Sequence, residues 1–409
     1  LKDLNLGFAQ FISIGNQADV NAETALEYWE NEEDVEQILL YMESIQNPSN
    51  FRKLASKITK KKPILALKAG RSAAGASAAS SHTGSLAGAD KAAAALLKQS
   101  GVIREFSLKN LFATAKVFAN CPIPNGDRVA IITNSGGPGI MATDAICEYG
   151  MQMAKITDST KEKLRSFLPS AASVKNPIDM IASAPIEHYK QTLETVIADE
   201  NVDMIITIYL PFLGLKDIDV AKALMEIKAE HPEKPIIGVF MTKNEFFTKL
   251  SDMDVNMPFF MYAEEAADGL NRLNQQRLWM ERPEGKIPCY DVDREKAESI
   301  IKKALSEGRA QLTTLESIDV LQAYGIRACK YGLATNEDEV VKLGNSIGYP
   351  VVMKMTSKTT SHKTDVGGVV VNIKSEEQLR NEYKGLLSRL EEKGLLEGLE
   401  GVIIQEMVK

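Results

Sequence analysis

The stretch Arg128–Ile146, RVAIITNSGGPGIMATDAI, contains the pattern that repeats along this chain. A continuous apolar run, RVAIIT, precedes a glycine-rich turn and then a segment with the composition of a helix. Gly136, Gly137 and Gly139 would let the backbone approach an anion, with free helix N–H groups behind them. The stretch lacks the Gly-Lys-Ser/Thr ending of a Walker motif and a complete G-x-G-x-x-G. An ordinary strand–helix turn therefore remains an alternative.

Similar apolar runs alternate with helix-like segments over most of the chain. They are Gln37–Glu43, Pro63–Gly70, Met204–Phe212 and Pro235–Phe240. Continuous apolar runs that are rich in β-branched residues and separated by helices are typical of parallel strands covered on both faces. The pattern therefore predicts doubly wound α/β layers, whose ligands bind at the carboxyl ends of the strands.

Two polar, proline-rich segments interrupt this alternation. They are Phe118–Asp127, FANCPIPNGD, and Glu281–Glu295, ERPEGKIPCYDVDRE. Because such segments mark domain boundaries, we expect three domains, over residues 1–122, 127–282 and 293–409. In the third, two helices precede the runs GYPVVMKM and GGVVVNI, which predict an antiparallel β-ribbon.

The composition restricts the class of protein. The chain has 409 residues, 44% of them hydrophobic and 25% charged, with a net charge of −7, as expected for a globular protein of several domains. It lacks the basic excess that nucleic-acid binding needs, and no apolar run approaches the ~20 residues that span a bilayer. Four cysteines without a CxxC pair fit free thiols in the cytoplasm and no zinc site. The basic cluster Lys57–Lys62 fits a solvated helix end.

One of only four histidines stands in the small-residue stretch Ser81–Gly88, SHTGSLAG. Thr83 and Ser85 are good N-cap residues, and AGADKAAAALLKQSG behind them predicts a helix that ends at Gly101. His82 then lies just before a helix N-terminus. A phosphorylated imidazole would be stabilised there by the free N–H groups and the positive end of the helix dipole. A capping or solvated histidine in a flexible loop remains the alternative.

Three further residues have positions that suggest chemistry. Glu43 ends an apolar strand, where a carboxylate could orient an imidazole and raise its basicity. Lys354 alternates with apolar residues on a strand and could hold nucleotide phosphates. His362 lies in the polar loop between the two strands of the predicted ribbon. Taken singly, a solvated strand-end acid and an ordinary loop histidine remain open for Glu43 and His362.

Taken together, six motifs resemble one family. In chain order they are SIGNQADV, YMES, LKAGRSAAGASAASSHTGSLAG, NSGGPGIMATDA, LPSAASVKNPIDM and MKMTSKTTSHKTDVGGV. They resemble the ADP-forming acyl-CoA synthetases, chiefly the acetyl-CoA synthetases, of the succinyl-CoA synthetase superfamily. The resemblance covers essentially the whole chain. It implies two flavodoxin-like, doubly wound parallel-sheet domains followed by the first part of an ATP-grasp domain.

The resemblance also implies roles for the residues named above. His82 is similar to the histidine that becomes phosphorylated, and Glu43 to the glutamate that hydrogen-bonds it. The helix that begins at Thr83, Gly84 and Ser85 and the one that follows GGPG resemble paired helices whose N-termini share the phosphohistidine.

The remaining implied roles belong to the ATP-grasp region. His362 resembles a second histidine that relays phosphate toward the nucleotide. Lys354 resembles the phosphate-binding lysine of this fold. Gln405–Val408, with Glu406, resembles the hinge that binds adenine.

The implied reaction converts acyl-CoA, phosphate and ADP into carboxylate, CoA and ATP through an acyl phosphate and a phosphohistidine. The implied ligands are ATP or ADP with Mg²⁺, CoA and a carboxylic acid, without nucleic acid or membrane. The resemblance leaves open the acyl group, the choice between ADP and GDP, and a homodimer. NPIDM and the loop after Leu210, Pro211 and Phe212 are candidates for the acyl or phosphate site.

The sequence departs from the family pattern at both ends. A Rossmann-like CoA-binding domain is expected before Leu1, and the Mg²⁺-binding acids of the ATP-grasp domain are expected after Lys409. We therefore expect a fragment that does not turn over by itself. A rival interpretation is a ligand-sensing regulatory region of a protein acetyltransferase, in which the active-site histidine is often lost. The presence of His82, His362 and Glu43 favours the enzyme.

Overall fold

The computed structural model describes residues 6–75, 77, 90–212, 215–286, 288–357, 367–394, 396 and 399–408. The chain divides into two compact units, Leu1–Glu284 and Gly285–Lys409. The predicted break at Phe118–Asp127 lies inside the first unit, between two separate sheets. The division into three domains stays a prediction.

The first unit begins with a parallel sheet of three described strands. They are β1 (Ile38–Met42), β2 (Ile64–Lys68) and β3 (Ile103–Glu105), in the order β1-β2-β3. The helices around this sheet are α1 (Ala22–Glu30), α2 (Pro48–Ile58), α3 (Asp90–Gln99) and α4 (Leu108–Asn120). Alternate residues of the strands enter two apolar clusters, one beside α1, α2 and α3 and the other beside α4. All five residues of β2 are buried, which confirms the prediction from the continuous apolar run for this strand, whereas Tyr41 of β1 is exposed.

The second sheet of this unit contains six strands that pair in parallel, in the order β5-β4-β7-β8-β9 with β6 beside β4. They are β4 (Arg128–Thr133), β5 (Gln152–Met153), β6 (Ile178–Asp179), β7 (Met204–Tyr209), β8 (Ile236–Phe240) and β9 (Phe259–Phe260). The helices are α5 (Gly136–Glu148), α6 (Asp158–Phe167), α7 (Ile186–Ile197), α8 (Asp217–Glu230), α9 (Asn244–Ser251) and α10 (Ala263–Glu281). Apolar clusters cover both faces of this sheet.

Helix α4 packs against both sheets of the first unit. Leu111 and Ala115 pack in the cluster of the first sheet, whereas Val117 and Cys121 pack in a cluster of the second. Lys116 lies between these apolar positions, donates to the Phe259 carbonyl oxygen at 3.2 Å and stands 5.9 Å from the Phe260 ring centre. Burial lowers the pKa of the Lys116 ammonium to about 8.

The sequence predicted a solvated helix end for the basic cluster Lys57–Lys62. This holds for the exposed Lys57 and Lys61 but not for Lys60. The Lys60 ammonium donates to the carbonyl oxygens of Trp279, Met280 (3.2 Å) and Arg282 (2.8 Å), at the end of α10. A cation at this position donates to carbonyl oxygens of the last turn and the C-cap and complements the helix dipole. The adjacent Lys61 side chain is exposed. Sequence could not foresee this role, because α10 lies more than two hundred residues further along the chain.

The second unit contains a four-stranded sheet in the order β10-β13-β11-β12, with antiparallel pairing throughout. Its strands are β10 (Tyr331–Ala334), β11 (Val351–Ser357), β12 (Val369–Ile373) and β13 (Leu399–Glu406). Its helices are α11 (Arg294–Ser306), α12 (Thr314–Ala323), α13 (Glu337–Ile347) and α14 (Glu376–Glu392). The predicted antiparallel ribbon is confirmed as β11 and β12. Among the described residues, no helix is both long and apolar enough to cross a membrane.

We predict that Lys60→Met lowers the free energy of unfolding by about 1–2 kcal/mol, because three helix-end carbonyls lose a charged donor. Lys61→Met, a change of the same chemistry at the neighbouring exposed position, is the control and should alter stability little. Denaturant unfolding of both variants makes the comparison. Equal stability of the two variants would contradict a capping role for Lys60.

We predict that Lys116→Met stabilises the protein at pH 7 by about 1–3 kcal/mol, because the folded state no longer holds a buried ammonium. The folded pKa of about 8 lies below the unfolded value of 10.5. The stability of the unmodified protein should therefore rise with pH between these values, and its difference from the variant should shrink. Thermal unfolding from pH 7 to 10 tests this, with Lys98→Met at the exposed end of α3 as the control. A pH-independent difference would refute the assignment.

Candidate active site

The carboxyl ends of β1, β2 and β3 meet at one edge of the first sheet. Met42 pairs with Lys68, and the Ala69 amide donates to the Met42 carbonyl oxygen at 2.9 Å. Glu43 therefore leaves β1 beside the point where Lys68 ends β2. Parallel α/β sheets bind ligands at this edge, so the position of Glu43 agrees with the sequence prediction.

Glu43 has a carboxylate oxygen that is available to a ligand or to a further side chain. Its Oε2 atom is buried and has no hydrogen-bond partner among the described residues. A buried acceptor that is left unpaired costs free energy, so a donor is expected at this position. His82, which the sequence analysis pairs with Glu43, lies outside the described residues.

Lys68 is a second charged group at this edge, and it is only 2% exposed. Its ammonium donates to the Ala69 carbonyl oxygen at 2.7 Å. Burial lowers the pKa of the Lys68 ammonium, and the positive charge of Arg104 acts in the same direction. The carboxylates of Asp90 and Glu43 oppose this shift. At the carboxyl edge of the first sheet, two cations and two carboxylates therefore lie close enough to affect one another. They are Lys68, Arg104, Asp90 and Glu43.

The end of β3 contacts the residues on both sides of the segment 72–89. The Arg104 guanidinium forms an ion pair with Asp90, the first residue of α3. Two guanidinium groups make cation–π contacts with the Phe106 ring. The Cζ atoms of Arg104 and Arg71 lie 5.0 and 5.2 Å from the ring centre. Arg71 and Asp90 are therefore held at the same strand end. We name Arg71, Asp90, Arg104 and Phe106 the β3-end cluster.

Several predicted site residues lie outside the described residues. They are His82, Thr83, Gly84, Ser85 and His362. Helix α3 is described from Asp90 and is followed by Gly101 at a φ of +69°, so the predicted end of this helix is confirmed. At Gly101 a β-carbon would lie 2.1 Å from the Trp279 ring, which makes glycine necessary there.

The glycine-rich turn forms the N-terminus of α5, which begins at Gly136 directly after the N-cap Ser135. The Ser135 side chain makes no capping hydrogen bond, and Pro138 has no N–H to offer. A β-carbon on Gly139 would lie 3.3 Å from the Thr133 side chain, whereas one on Gly137 would meet nothing within 4 Å. Gly139 therefore serves close helix–strand packing, while the N–H groups of Gly136 and Gly137 face away from the helix, as an anion site requires.

A carboxylate also lies near this helix start. A β-carbon on Gly136 would lie 3.4 Å from the Asp179 Oδ2 atom. The other oxygen, Asp179 Oδ1, accepts from the Ile181 amide at 2.9 Å. Asp179 belongs to the NPIDM motif, which the sequence proposed for the acyl or phosphate site. An anion bound at the N-terminus of α5 would therefore lie close to the Asp179 carboxylate.

In the second unit, Lys354 lies on β11 between Met353 and Met355, which are both fully buried in the apolar cluster. Its side chain is therefore on the opposite face of the sheet, as alternation predicts. Glu406 ends β13, where its amide donates to the Lys330 carbonyl oxygen at 2.8 Å and its carboxylate accepts from the Lys330 amide at 3.4 Å. The nucleotide-binding roles of Lys354 and Glu406 stay predictions.

Sequence reasoning missed Lys68 and the β3-end cluster. The signal for Lys68 was a lysine that closes the otherwise apolar run ILALK. For Arg104 and Phe106 no local signal existed, because the contacts to Arg71 and Asp90 depend on how the strands are ordered. Among the described residues, no group of three or more His, Cys, Asp or Glu side chains could hold a metal ion.

Three family models match the chain in sequence. The flavodoxin domain of the succinyl-CoA ligase type matches residues 1–118, the ligase-CoA domain matches 129–267, and an ATP-grasp domain matches 303–409. Together they account for most of the chain, and they occur in the order that the motifs implied.

The two relatives compared below are ADP-forming CoA ligases. The chain is 35% identical over 407 residues to a 4-hydroxybutyrate–CoA ligase [ADP-forming] of Nitrosopumilus maritimus, covering 99% of this chain and 58% of the relative. It is 36% identical over 405 residues to the acetate–CoA ligase [ADP-forming] I of Archaeoglobus fulgidus, with 98% and 58% covered. The chain thus spans about three-fifths of the length of these curated relatives.

A solved structure supports the same relationship. The dinucleotide-forming acetyl-coenzyme A synthetase 1 of Ca. Korarchaeum cryptofilum, in complex with phosphate and ADP, matches with a TM-score of 0.61 at 28% identity. The match covers 66% of this chain and 59% of that one. Sequence motifs, family models, relatives and fold agree: the chain contains flavodoxin-type, ligase-CoA and ATP-grasp domains and is similar over nearly its whole length to ADP-forming acyl-CoA ligases.

Proposed function

We propose that this chain carries the phosphohistidine part of an ADP-forming acyl-CoA synthetase, which converts acyl-CoA, phosphate and ADP into carboxylate, CoA and ATP. The observation that carries the proposal is the charged edge of the first sheet. There Glu43 has an unpartnered buried oxygen, and the β3-end cluster holds both sides of the segment that contains His82. Similarity to ADP-forming CoA ligases supports the same reaction class.

The proposed reaction has three steps. Phosphate attacks the thioester carbon and releases CoA, which leaves an acyl phosphate. An imidazole nitrogen of His82 attacks the phosphorus and releases the carboxylate. A β-phosphate oxygen of ADP then takes the phosphoryl group from His82 and forms ATP. Each step transfers a charged group, so positioning and charge stabilisation provide most of the catalysis.

We assign roles to residues of this chain within that scheme. Glu43 accepts from the His82 imidazole and fixes its orientation. Helix N-terminal N–H groups at Thr83, Gly84 and Ser85 and at Gly136 and Gly137 bind phosphate. Gly139, the third glycine predicted for this site, contributes close packing, because its amide donates to the Ser135 carbonyl oxygen.

In the second unit, Lys354 and Glu406 bind the nucleotide and His362 relays phosphate toward it. The charge of Lys354 suits nucleotide phosphates, and Glu406 ends a strand beside Lys330. Mg²⁺ accompanies the nucleotide in this proposal. The acyl group is not assigned, because relatives of near-equal identity act on 4-hydroxybutyrate and on acetate. A cytoplasmic location and a homodimer belong to the same proposal.

Labelling with γ-³²P ATP and Mg²⁺ tests the proposed phosphohistidine in the intact protein. We expect a label that is lost in acid and stable in base, and that is absent from His82→Ala. His231→Ala provides the matched control, because His231 is a histidine of the first unit outside this edge of the sheet. An unlabelled native protein, or a label that persists in His82→Ala, would refute the proposed function.

Glu43→Gln tests the assigned orientation of the imidazole. The amide keeps the shape of the carboxylate but removes its charge, so we expect labelling to slow by about 100-fold. Glu33→Gln, at an exposed position before β1, should leave the rate unchanged. Equal labelling rates of the two variants would remove Glu43 from the site.

The β3-end cluster should matter for the same reaction. We predict that Arg104→Met and Asp90→Asn each slow labelling of His82 by about 10-fold, because α3 loses its tie to the strand end. Since the two side chains act as one ion pair, the double variant should be no slower than either single variant. Additive losses of rate would show that the pair does not act as a unit. Arg52→Met, at an exposed position of α2, is the control and should leave the labelling rate unchanged.

A further inference from the structure

Lys68 ends strand β2 on the face of the first sheet that α3 covers. Side chains alternate between the two faces of a strand, so Lys68 follows Ile64 and Ala66 on one face. Ile64 and Ala66 are buried in the apolar cluster beside α1, α2 and α3. Ala66 is also the register partner of Arg104 on β3. Because paired residues of neighbouring parallel strands point to the same face, Lys68 and Arg104 are directed to the same side of the sheet.

Lys68 is buried with only part of its hydrogen-bonding capacity used. The residue is 2% exposed, and an ammonium group has three N–H donors. The Ala69 carbonyl oxygen, 2.7 Å from the Lys68 Nζ atom, is its one hydrogen-bond acceptor within the part of the chain that the structure describes. The other donors of this buried cation are therefore available to a ligand.

The Arg104 side chain on the neighbouring strand also has an unused donor. A terminal nitrogen of its guanidinium pairs with Asp90, but the buried Nε atom has no hydrogen-bond partner among the described residues. Glu43 has an unpartnered oxygen at the same edge, which the proposed function assigns to the His82 imidazole. The donors of Lys68 and Arg104 are then left without an acceptor, although buried polar groups of native proteins are nearly always paired.

The charge of Lys68 is likewise compensated only in part. Burial disfavours the charged form of an ammonium group, and it lowers the pKa of Lys68. The Asp90 and Glu43 carboxylates oppose this shift without cancelling it, because Asp90 is already paired with Arg104, whose positive charge lowers the pKa further. An anion bound beside Lys68 would supply the missing negative charge.

A phosphoryl group matches these donors better than a carboxylate does. A carboxylate is best bound by two parallel N–H donors of one guanidinium. Here the free donors belong to an ammonium and to one guanidinium nitrogen, on two neighbouring strands that are spaced about 4.8 Å apart. The oxygens of a tetrahedral phosphoryl group point in different directions, and its charge of about −2 exceeds that of a carboxylate.

We propose that Lys68 is a further catalytic residue of the phosphoryl transfer, and that its ammonium and the Arg104 Nε atom bind oxygens of the transferred group. The inference rests on the proposed function and adds to it the positive charge at this edge of the sheet. A cation that the fold already holds in place stabilises the negative charge of the phosphoryl group without reorganisation during transfer. Lys68 forms no covalent bond in this role.

Thermal unfolding of the intact protein with and without inorganic phosphate tests the binding role. We expect phosphate to raise the Tm of the native protein and of Lys53→Met, at an exposed position of α2, but not that of Lys68→Met. Chloride at the same ionic strength controls for salt. Lys68→Gln, which keeps a donor for the Ala69 carbonyl oxygen, is the second variant if Lys68→Met does not fold.

Three results of this experiment would overturn the proposal. One is a native protein whose Tm does not respond to phosphate. Another is an equal phosphate-dependent shift in the native protein and in the Lys68 variants, which would leave Lys68 a structural role only. The third is an equal rise of the Tm with acetate that is lost in Lys68→Met, which would assign the cation to a carboxylate.

Labelling with γ-³²P ATP separates the failure of this inference from the failure of the proposed function. We expect Lys68→Met to be labelled about 100-fold more slowly than the native protein, and Lys53→Met at the native rate. Labelling of Lys68→Met at the native rate, with His82→Ala unlabelled, would refute the role of Lys68 and keep the phosphohistidine. An unlabelled native protein would refute the proposed function and, with it, the catalytic role of Lys68.

Discussion

The buried ion pair between Glu105 and Arg272 is the constraint on which the first unit depends. The Glu105 side chain is fully buried, lies 3.0 Å from the Arg272 Nε atom and accepts from the Thr114 hydroxyl at 2.9 Å. Burial raises the pKa of the Glu105 carboxyl, although the Arg272 charge opposes this shift. Removing one partner of such a pair typically costs about 3–5 kcal/mol, because the other charge stays buried and uncompensated. The pair therefore fixes the first sheet against α10 of the second.

The same short strand connects this constraint to the candidate active site. Adjacent residues of β3 point to opposite faces, so Glu105 is directed toward α10 while Arg104 is directed toward Asp90 at the start of α3. Phe106 follows β3 in the sequence, and its ring makes a cation–π contact with the guanidinium of Arg71. One strand of three residues thus anchors the packing of two sheets and holds both sides of the segment that contains His82. A site built on such a rigid element keeps its groups in position better than a site on a free loop.

The sequence by itself determined the kinds of elements, their order and the family resemblance. Periodicity and turn chemistry are local properties, so the runs at β1, β2, β4, β7 and β8 and the ribbon of β11 and β12 were predictable, as was the strand-end position of Glu43. The positions of His82 and His362 in the sequence suggested their roles, which stay proposals. Tertiary structure alone decided the tasks of the charged residues. Lys60 caps a distant helix, Lys68 is buried at a strand end, and Arg104 pairs with Asp90. Only the tertiary structure set the order β1-β2-β3 of the described strands of the first sheet. These features depend on which strands become neighbours, and that order follows from packing across the chain, which no local pattern records.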